Sequence, residues 1–516
     1  MAGRARAVLG ATLVLATVVA IAIVLLRQSL LRGPVREAAE KRLSAALGQP
    51  VTIGDMGVSL FPRPALTGSD IRVGSVDVPA PSIRLARVRI APRLRSLFGG
   101  ALEIDDVLLE GFVVSILHGR DGRWRAPAVA PVPADGSSVS VARVRIAGGR
   151  LRVFDEGARG DLRERSSVDS IDAGVVPRDG GIQLSDVRGR IGDAQITGEA
   201  RADRSTVRLE FAAPSITSDD LSPMLALLGG ERPDFVRLDE PASLSATIHI
   251  DLATSRLGGT GTLRAPAVTL DPLRIRSFAA PFTIDGSRLV FDPTTFAIYE
   301  GSHRGMLTIA LDRDPPRWST NSHVQRLDLG AFLDALAARD TQLDGTADVE
   351  TTLSGPVGGD LARTTQGRAR VDVTEGVIHD FPLLAAINRA LRLTEGSSRD
   401  TRFRRLTATL AIGAGGATTT DLVLDARDVQ VTAAGRIGFD RSLDFRGIAT
   451  LSAERTAAAV ASIHELARLR RNGTIDLPLT ITGTADDPAF EIDLKSAIER
   501  GIADELLRQF RRIIRH

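Results

Sequence analysis

From Pro50 onward, apolar residues recur at every second position, and this period persists through most of the remaining sequence. No other feature constrains the fold as tightly. A period of two places successive side chains on opposite faces of an extended strand. In "SLSATIHIDL", Leu244, Ala246, Ile248, Ile250 and Leu252 share one face, while Ser243, Ser245, Thr247, His249 and Asp251 share the other. "TIDLPLTIT" groups Ile475, Leu477, Leu479 and Ile481, and "FEIDL" groups Phe490, Ile492 and Leu494. "VARVRIAGGRLRVFD" reads as a hairpin with Val144 and Ile146 against Leu151 and Val153, turned at Gly148–Gly149. Its polar face then carries Arg143, Arg145, Arg150 and Arg152, so neighbouring strands must supply acids or water there.

Helical periodicity is sparse. It predicts helices over Asp219–Leu228, Asp328–Ala338, Phe381–Leu393, Ala453–Arg470 and Lys495–Ile514. The Pro, Ala, Gly and Ser-rich stretch from Ala126 reads as a linker. With so few helices, the regular strand faces have two ways to leave water. Two sheets can pack face to face as stacked β-sandwiches. Alternatively, one long, twisted, open sheet lines a groove, whose apolar face then needs an occupant because large exposed apolar areas are uncommon on soluble monomers.

Ahead of the β-region, Ala7 to Leu26 runs without a charge and spans about 30 Å as a helix, the thickness of a bilayer core. Arg4 and Arg6 precede it, and Arg27 and Arg32 follow. Ala20-Ile21-Ala22 lies inside the apolar run, a poor place for signal cleavage, so the segment is expected to stay as an anchor with the body exported. Acyl chains are then within reach of a groove. Next comes "GPVREAAEKRLSAALG", a helical pattern with Pro34 at its start, Val35, Ala39, Leu43 and Leu47 on one face, and Gly48 as its stop.

Several function classes find no support. Cysteine is absent, which removes disulfides, thiolate nucleophiles and Cys-ligated metals together. The formal net charge of +2 and the 4% aromatic content argue against a nucleic-acid partner. His118, His249, His303, His323, His379, His464 and His516 are scattered with no HxxxH or HExxH spacing, and neither a phosphate-binding loop nor a GxSxG elbow occurs. No enzymatic activity, cofactor or metal is expected. The segment from Lys495 carries an apolar stripe of Ile498, Ile502, Leu506, Phe510 and Ile513 beside Arg500, Arg508, Arg511, Arg512 and Arg515. It suits either packing on the last strands or contact with anionic lipid or a partner protein.

The order of these pieces resembles the AsmA family of Gram-negative envelope proteins. The resemblance rests on an anchor, then a helix-to-strand passage with Leu47, Gly48, Val51, Ser59, Leu60, Phe61, Pro62, Pro64, Leu66, Asp70 and Val73, then Asp121, Gly122 and Trp124. Towards the other end, "GRARVDVTEGVIHDFPLLAAINRAL" and "LPLTITGTADDPAFEIDL" are similar to the family's strand–helix unit and closing hairpins. The resemblance implies a single-pass inner-membrane protein with its bulk in the periplasm, whose repeating β-groove contributes to phospholipid transport and outer-membrane integrity. Its partners would be membrane phospholipids, and possible docking of envelope assembly proteins on the C-terminal helix gives an alternative role in outer-membrane protein biogenesis. The expected fold is mainly β with a few helices. The expected divisions are an anchor (1–28), an AsmA-like N-terminal helix and β-region (29–125), a linker (126–138), a middle β-groove region (139–340), an AsmA-like C-terminal β-region (341–494) and an amphipathic helix (495–516).

Overall fold

The computed structural model describes most residues from 49 to 494, together with Glu37, Glu40, Lys41 and Ser44. Residues 60–64, 75–81, 94–102, 121–123 and 126–139, a few shorter intervals, and everything before 37 and after 494 lie outside that set. The described chain is mainly β, with 27 strands and a few short helices. It divides into two compact units: residues up to Pro266 with Pro281–Leu289, and Ala267–Ala280 with the chain from Val290.

In the first unit, strands add one after another. Ala65–Val73 pairs antiparallel with Ser82–Pro92, and Ser82–Pro92 pairs with Glu103–His118. Glu103–His118 then runs parallel to Val144–Glu156. From there the ladder continues antiparallel through Leu162–Arg178, Gly181–Ile191, Ala194–Asp203, Thr206–Ile216 and Ala242–Asp251 to the strand beginning at Arg256. Ahead of the first long strand, Ser44 Oγ accepts from Val51 N at 2.8 Å and Glu40 Oε1 from Ile53 N at 2.7 Å. Glu40 and Ser44 thus satisfy backbone donors where the first strand begins.

The expected hairpin at Gly148–Gly149 is not formed. Val144–Glu156 is one continuous strand with register shifts around Gly149. A two-residue type I′ turn needs positive φ at both central residues. Here only Gly148 has it, at φ 61°, which produces a bulge in a continuing strand. The parallel pairing requires a long crossover between the two strands; the expected linker 126–138 lies outside the described residues.

The second unit is an antiparallel ladder in chain order. It passes from Gly301–Ala310 through Arg317–Asp328, Leu343–Pro356, Gln366–Ile378 and Thr401–Gly413. It continues through Gly416–Ala426, Val429–Gly438, Leu443–Leu451 and Asp476–Gly483 to Pro488–Ile492. Each unit is therefore built strand upon strand in one open ladder among its described residues, without the two separately bonded sheets of a sandwich.

The helices fall close to their predicted places, at Ser218–Leu227, Leu329–Ala337 and Leu383–Ala390. The long pattern from Ala453 breaks in two. An α-helix spans Ala453–Ser462, Ile463 turns extended at φ −132°, and a 3-10 turn covers His464–Leu469. Ser452 caps the first piece by accepting from Arg455 N at 3.2 Å. No helix among the described residues is long and apolar enough to cross a membrane; the predicted span Ala7–Leu26 and the predicted helix Lys495–Ile514 lie outside them.

Candidate functional site

Directly opposed residues in a sheet point to the same face, so the registers show which side chains line up across strands. In the first unit Leu66 opposes Ile90, Ile90 opposes Val107, Val107 opposes Val144, and Val144 opposes Val175. The row then runs through Leu184, Ala200, Leu209 and Ile248 to Gly259. Every residue of this row is apolar or glycine. From Ile90 to Val175 it is closed, with Val107 and Val144 at 0% exposure. Leu184, Leu209 and Ile248 are only half-buried. At its Leu66 end lies an apolar pocket lined by Ile53, Met56, Leu66, Gly68, Ile71 and Ile90.

The second unit repeats the design. Leu327, Ala347, Val373, Leu406, Leu424, Val431, Ala449 and Leu477 form one cross-strand row. Most of it is fully buried. Its neighbour on the same face joins His303, Val324, Val349, Val371 and Ala408; of these only Ala408 is fully buried, and the rest are half-buried. This face therefore combines a dry core with a half-open apolar strip.

The opposite face is charged and solvated. Arg145 pairs with Asp106 at 2.7 Å and Arg87 with Glu110 at 3.2 Å. Arg150 pairs with Asp169 and Arg152 with Glu164. The acids expected opposite the arginine stripe are thus present. In the second unit Arg405 Nε donates to Asp372 at 2.9 Å, which holds that carboxyl below its usual range and raises the guanidinium. Exposed pairs of this kind contribute only about 0–1 kcal/mol each. Their main consequence is to mark which face meets water.

The helix Ser218–Leu227 sits on the apolar side of the first unit. Ser166, which opposes Val153, is buried and donates to the Pro223 carbonyl at 2.7 Å. Asp220 fixes the start of that helix. Its carboxylate accepts from Thr217 N at 2.8 Å, Thr217 Oγ1 at 2.7 Å, Asp193 N at 2.8 Å and Ala194 N at 3.0 Å. Burial works to raise its pKa, but these hydrogen bonds carry it below the ordinary value.

The residues selected from sequence occupy two environments. Ala246 and Ile250 are buried, Leu244 and Ile248 half-buried, and their outward neighbours Ser245 and His249 exposed. Leu252 lies outside the described residues. Ile475, Leu477, Leu479 and Ile481 are buried, and nearby the helix Leu383–Ala390 packs on Pro488–Ile492 while Ala453–Ser462 packs on Leu443–Leu451. Phe490, Ile492 and Leu494 are half-buried, and Phe490 meets Phe381 edge-on at 4.8 Å. Val51 is buried; Leu47, Gly48, Phe61, Pro62 and Pro64 lie outside the described residues.

Sequence reasoning passed over the half-open strip. Parity could have found it, since "SHRGMLTIA" sets His303, Gly305, Leu307 and Ile309 on one side and "TADVETTLSG" sets Ala347, Val349, Thr351 and Leu353 likewise. His303 is the polar member of that strip. Its ring stacks on Phe296 at 4.0 Å, nearly parallel at 8°. Burial pushes its pKa down to about 4, against a raising contact from the Thr294 backbone. His379 has the opposite character: an exposed ring between Asp344 at 2.8 Å and Asp400 at 3.5 Å, with its pKa raised first by the hydrogen bond to Asp344. Among the described residues no three His, Asp or Glu side chains converge as metal ligands.

No family model and no curated protein matches this chain. The functional reading therefore rests on its geometry.

Proposed function

We propose that this chain is an AsmA-like, inner-membrane-anchored periplasmic protein that binds and moves phospholipid along the apolar face of an elongated, twisted β-groove, and so supports the outer membrane. The observation that carries the reading is the uninterrupted cross-strand row from Leu66 to Ile248, half-open over its second half, with the ion pairs of Arg87, Arg145, Arg150 and Arg152 on the other face. Such a face replaces water around acyl chains. The gain is about 0.8 kcal/mol for each methylene fully shielded, and no headgroup contact is needed to obtain it.

The Leu66 end of the row adds direction to this reading. It belongs to the first strands after the anchor sequence. In the proposal this end takes lipid from the bilayer, and the charged face keeps the sheet soluble while its other side carries hydrocarbon. The fully buried positions around Leu477 would serve as scaffold, and half-buried ones such as Leu244 and Ile248 as the binding surface.

Photo-crosslinking tests this on the full chain in native membranes. A photoreactive residue at Leu244 or Ile248 is expected to label phospholipid, and one at Ser245 or His249 is not. Equal labelling from both sets would defeat the proposal.

A further inference from the structure

The buried polar atoms of the second unit that lack a hydrogen-bond partner include Thr294 Oγ1 and His303 Nδ1, and these two residues are in contact through the Thr294 backbone. Thr294 is 7% exposed, and its backbone acts directly on the His303 ring. Phe296 stacks on that ring, and Phe278 stacks on Phe296 at 6.3 Å. Buried polar groups are almost always satisfied, so two orphans on residues that touch one another mark a place for a small polar group. Burial keeps the imidazole neutral; its one N–H goes to the Thr294 backbone carbonyl, which leaves Nδ1 as an acceptor, and the Thr294 hydroxyl can donate or accept. No charged group contributes to the downward shift of the His303 ring. A phosphate or carboxylate here would be a buried charge without a counter-ion, which is strongly unfavourable. A neutral O–H, which donates and accepts at once, fits both atoms.

His303 also begins the half-open row that continues to Val324, Val349 and Val371. Carried on to Ala408, the row crosses four strand spacings, about 19 Å, the reach of a long extended acyl chain. We infer that Thr294 and His303 form a polar station holding the hydroxyl-bearing end of a neutral single-chain lipid, whose chain lies over Val324, Val349 and Val371. This rests on the lipid-binding reading above and names a ligand class within it.

The test is equilibrium dialysis of the full chain in nanodiscs with radiolabelled palmitic acid at pH 5, 1-hexadecanol and methyl palmitate. Each is measured on the native protein, on Thr294→Val and on His303→Phe. The valine keeps the threonine shape and the phenylalanine keeps the stack. Palmitic acid or hexadecanol should bind at least tenfold more tightly than the methyl ester. Either variant should abolish that preference while leaving ester binding unchanged, which also reports an intact face. Acid preferred over alcohol would identify a fatty acid, and the reverse a glycerol-type hydroxyl. Equal binding of all three to the native protein, with the two atoms bridged by water only, overturns the station and leaves lipid binding standing. Binding of none of the three overturns both.

Discussion

Asp220 offers the sharpest test of how the apolar face is organised. It is 2% exposed and accepts four hydrogen bonds: two from Thr217 at the start of the helix Ser218–Leu227, and two from Asp193 N and Ala194 N that tie that helix to the Gly192–Ala194 turn. Asp220→Ala removes all four. Thr217 and Asp193 are exposed, so their donors can turn to water, whereas Ala194 is buried and its N–H is left unpaired. One orphaned donor at about 1–3 kcal/mol, plus the net loss of the remaining charge-assisted bonds and less the relief of a buried charge, comes to about 3 kcal/mol. That is about a hundredfold in local opening. Hydrogen exchange at Ala194 and across Ser218–Leu227 should accelerate by this factor, with distant strands such as Val429–Gly438 unchanged. Because the folded pKa of Asp220 is depressed, its contribution is present above the unfolded value near 4 and is lost as pH falls through the folded value. Acceleration below about threefold, or acceleration spread evenly over the chain, would refute the assignment of Asp220 as the local anchor.

Other expectations follow the same division of labour. Leu477→Ala, in the closed row, should destabilise by about 2–5 kcal/mol in denaturant melts, while Ile248→Ala, half-open, should cost less and instead weaken phospholipid crosslinking. His379, held between Asp344 and Asp400, should titrate by NMR above the usual histidine range. Its stabilising effect should be full below pH 6.5 and fade as pH rises through the folded value, and His379→Gln should remove that dependence. Arg405→Ala should leave the denaturant midpoint essentially unchanged, since the guanidinium that pairs with Asp372 is exposed.

Much of the fold was legible because alternation is a local property. The period of two in "SLSATIHIDL" defines which side chains share a face whatever strands lie beside it, and Ala246 and Ile250 are indeed the buried set. Pairing is not local. The Gly148–Gly149 dipeptide carries the composition of a turn, yet one positive φ makes it a bulge, and the strand's partner lies across a long crossover. Degree of burial was equally hidden. Ile248 and Leu477 look alike in sequence, and only their neighbours make one half-open and the other core. The Thr294–His303 pair escaped notice because each residue alone is an unremarkable member of a strand; their joint lack of partners exists only once the strands are side by side.

The central claim is that acyl chains lie on one face of the sheet and not the other. Ile448 supplies the control: it is apolar and 44% exposed, but it points away from the row containing Ala449. Methyl NMR of the full chain in nanodiscs with spin-labelled phospholipid should broaden Ile248 and Val349 strongly and leave Ile448 sharp. Broadening of Ile448 equal to theirs would show that lipid contacts any exposed apolar residue, and would contradict a lipid-bearing face.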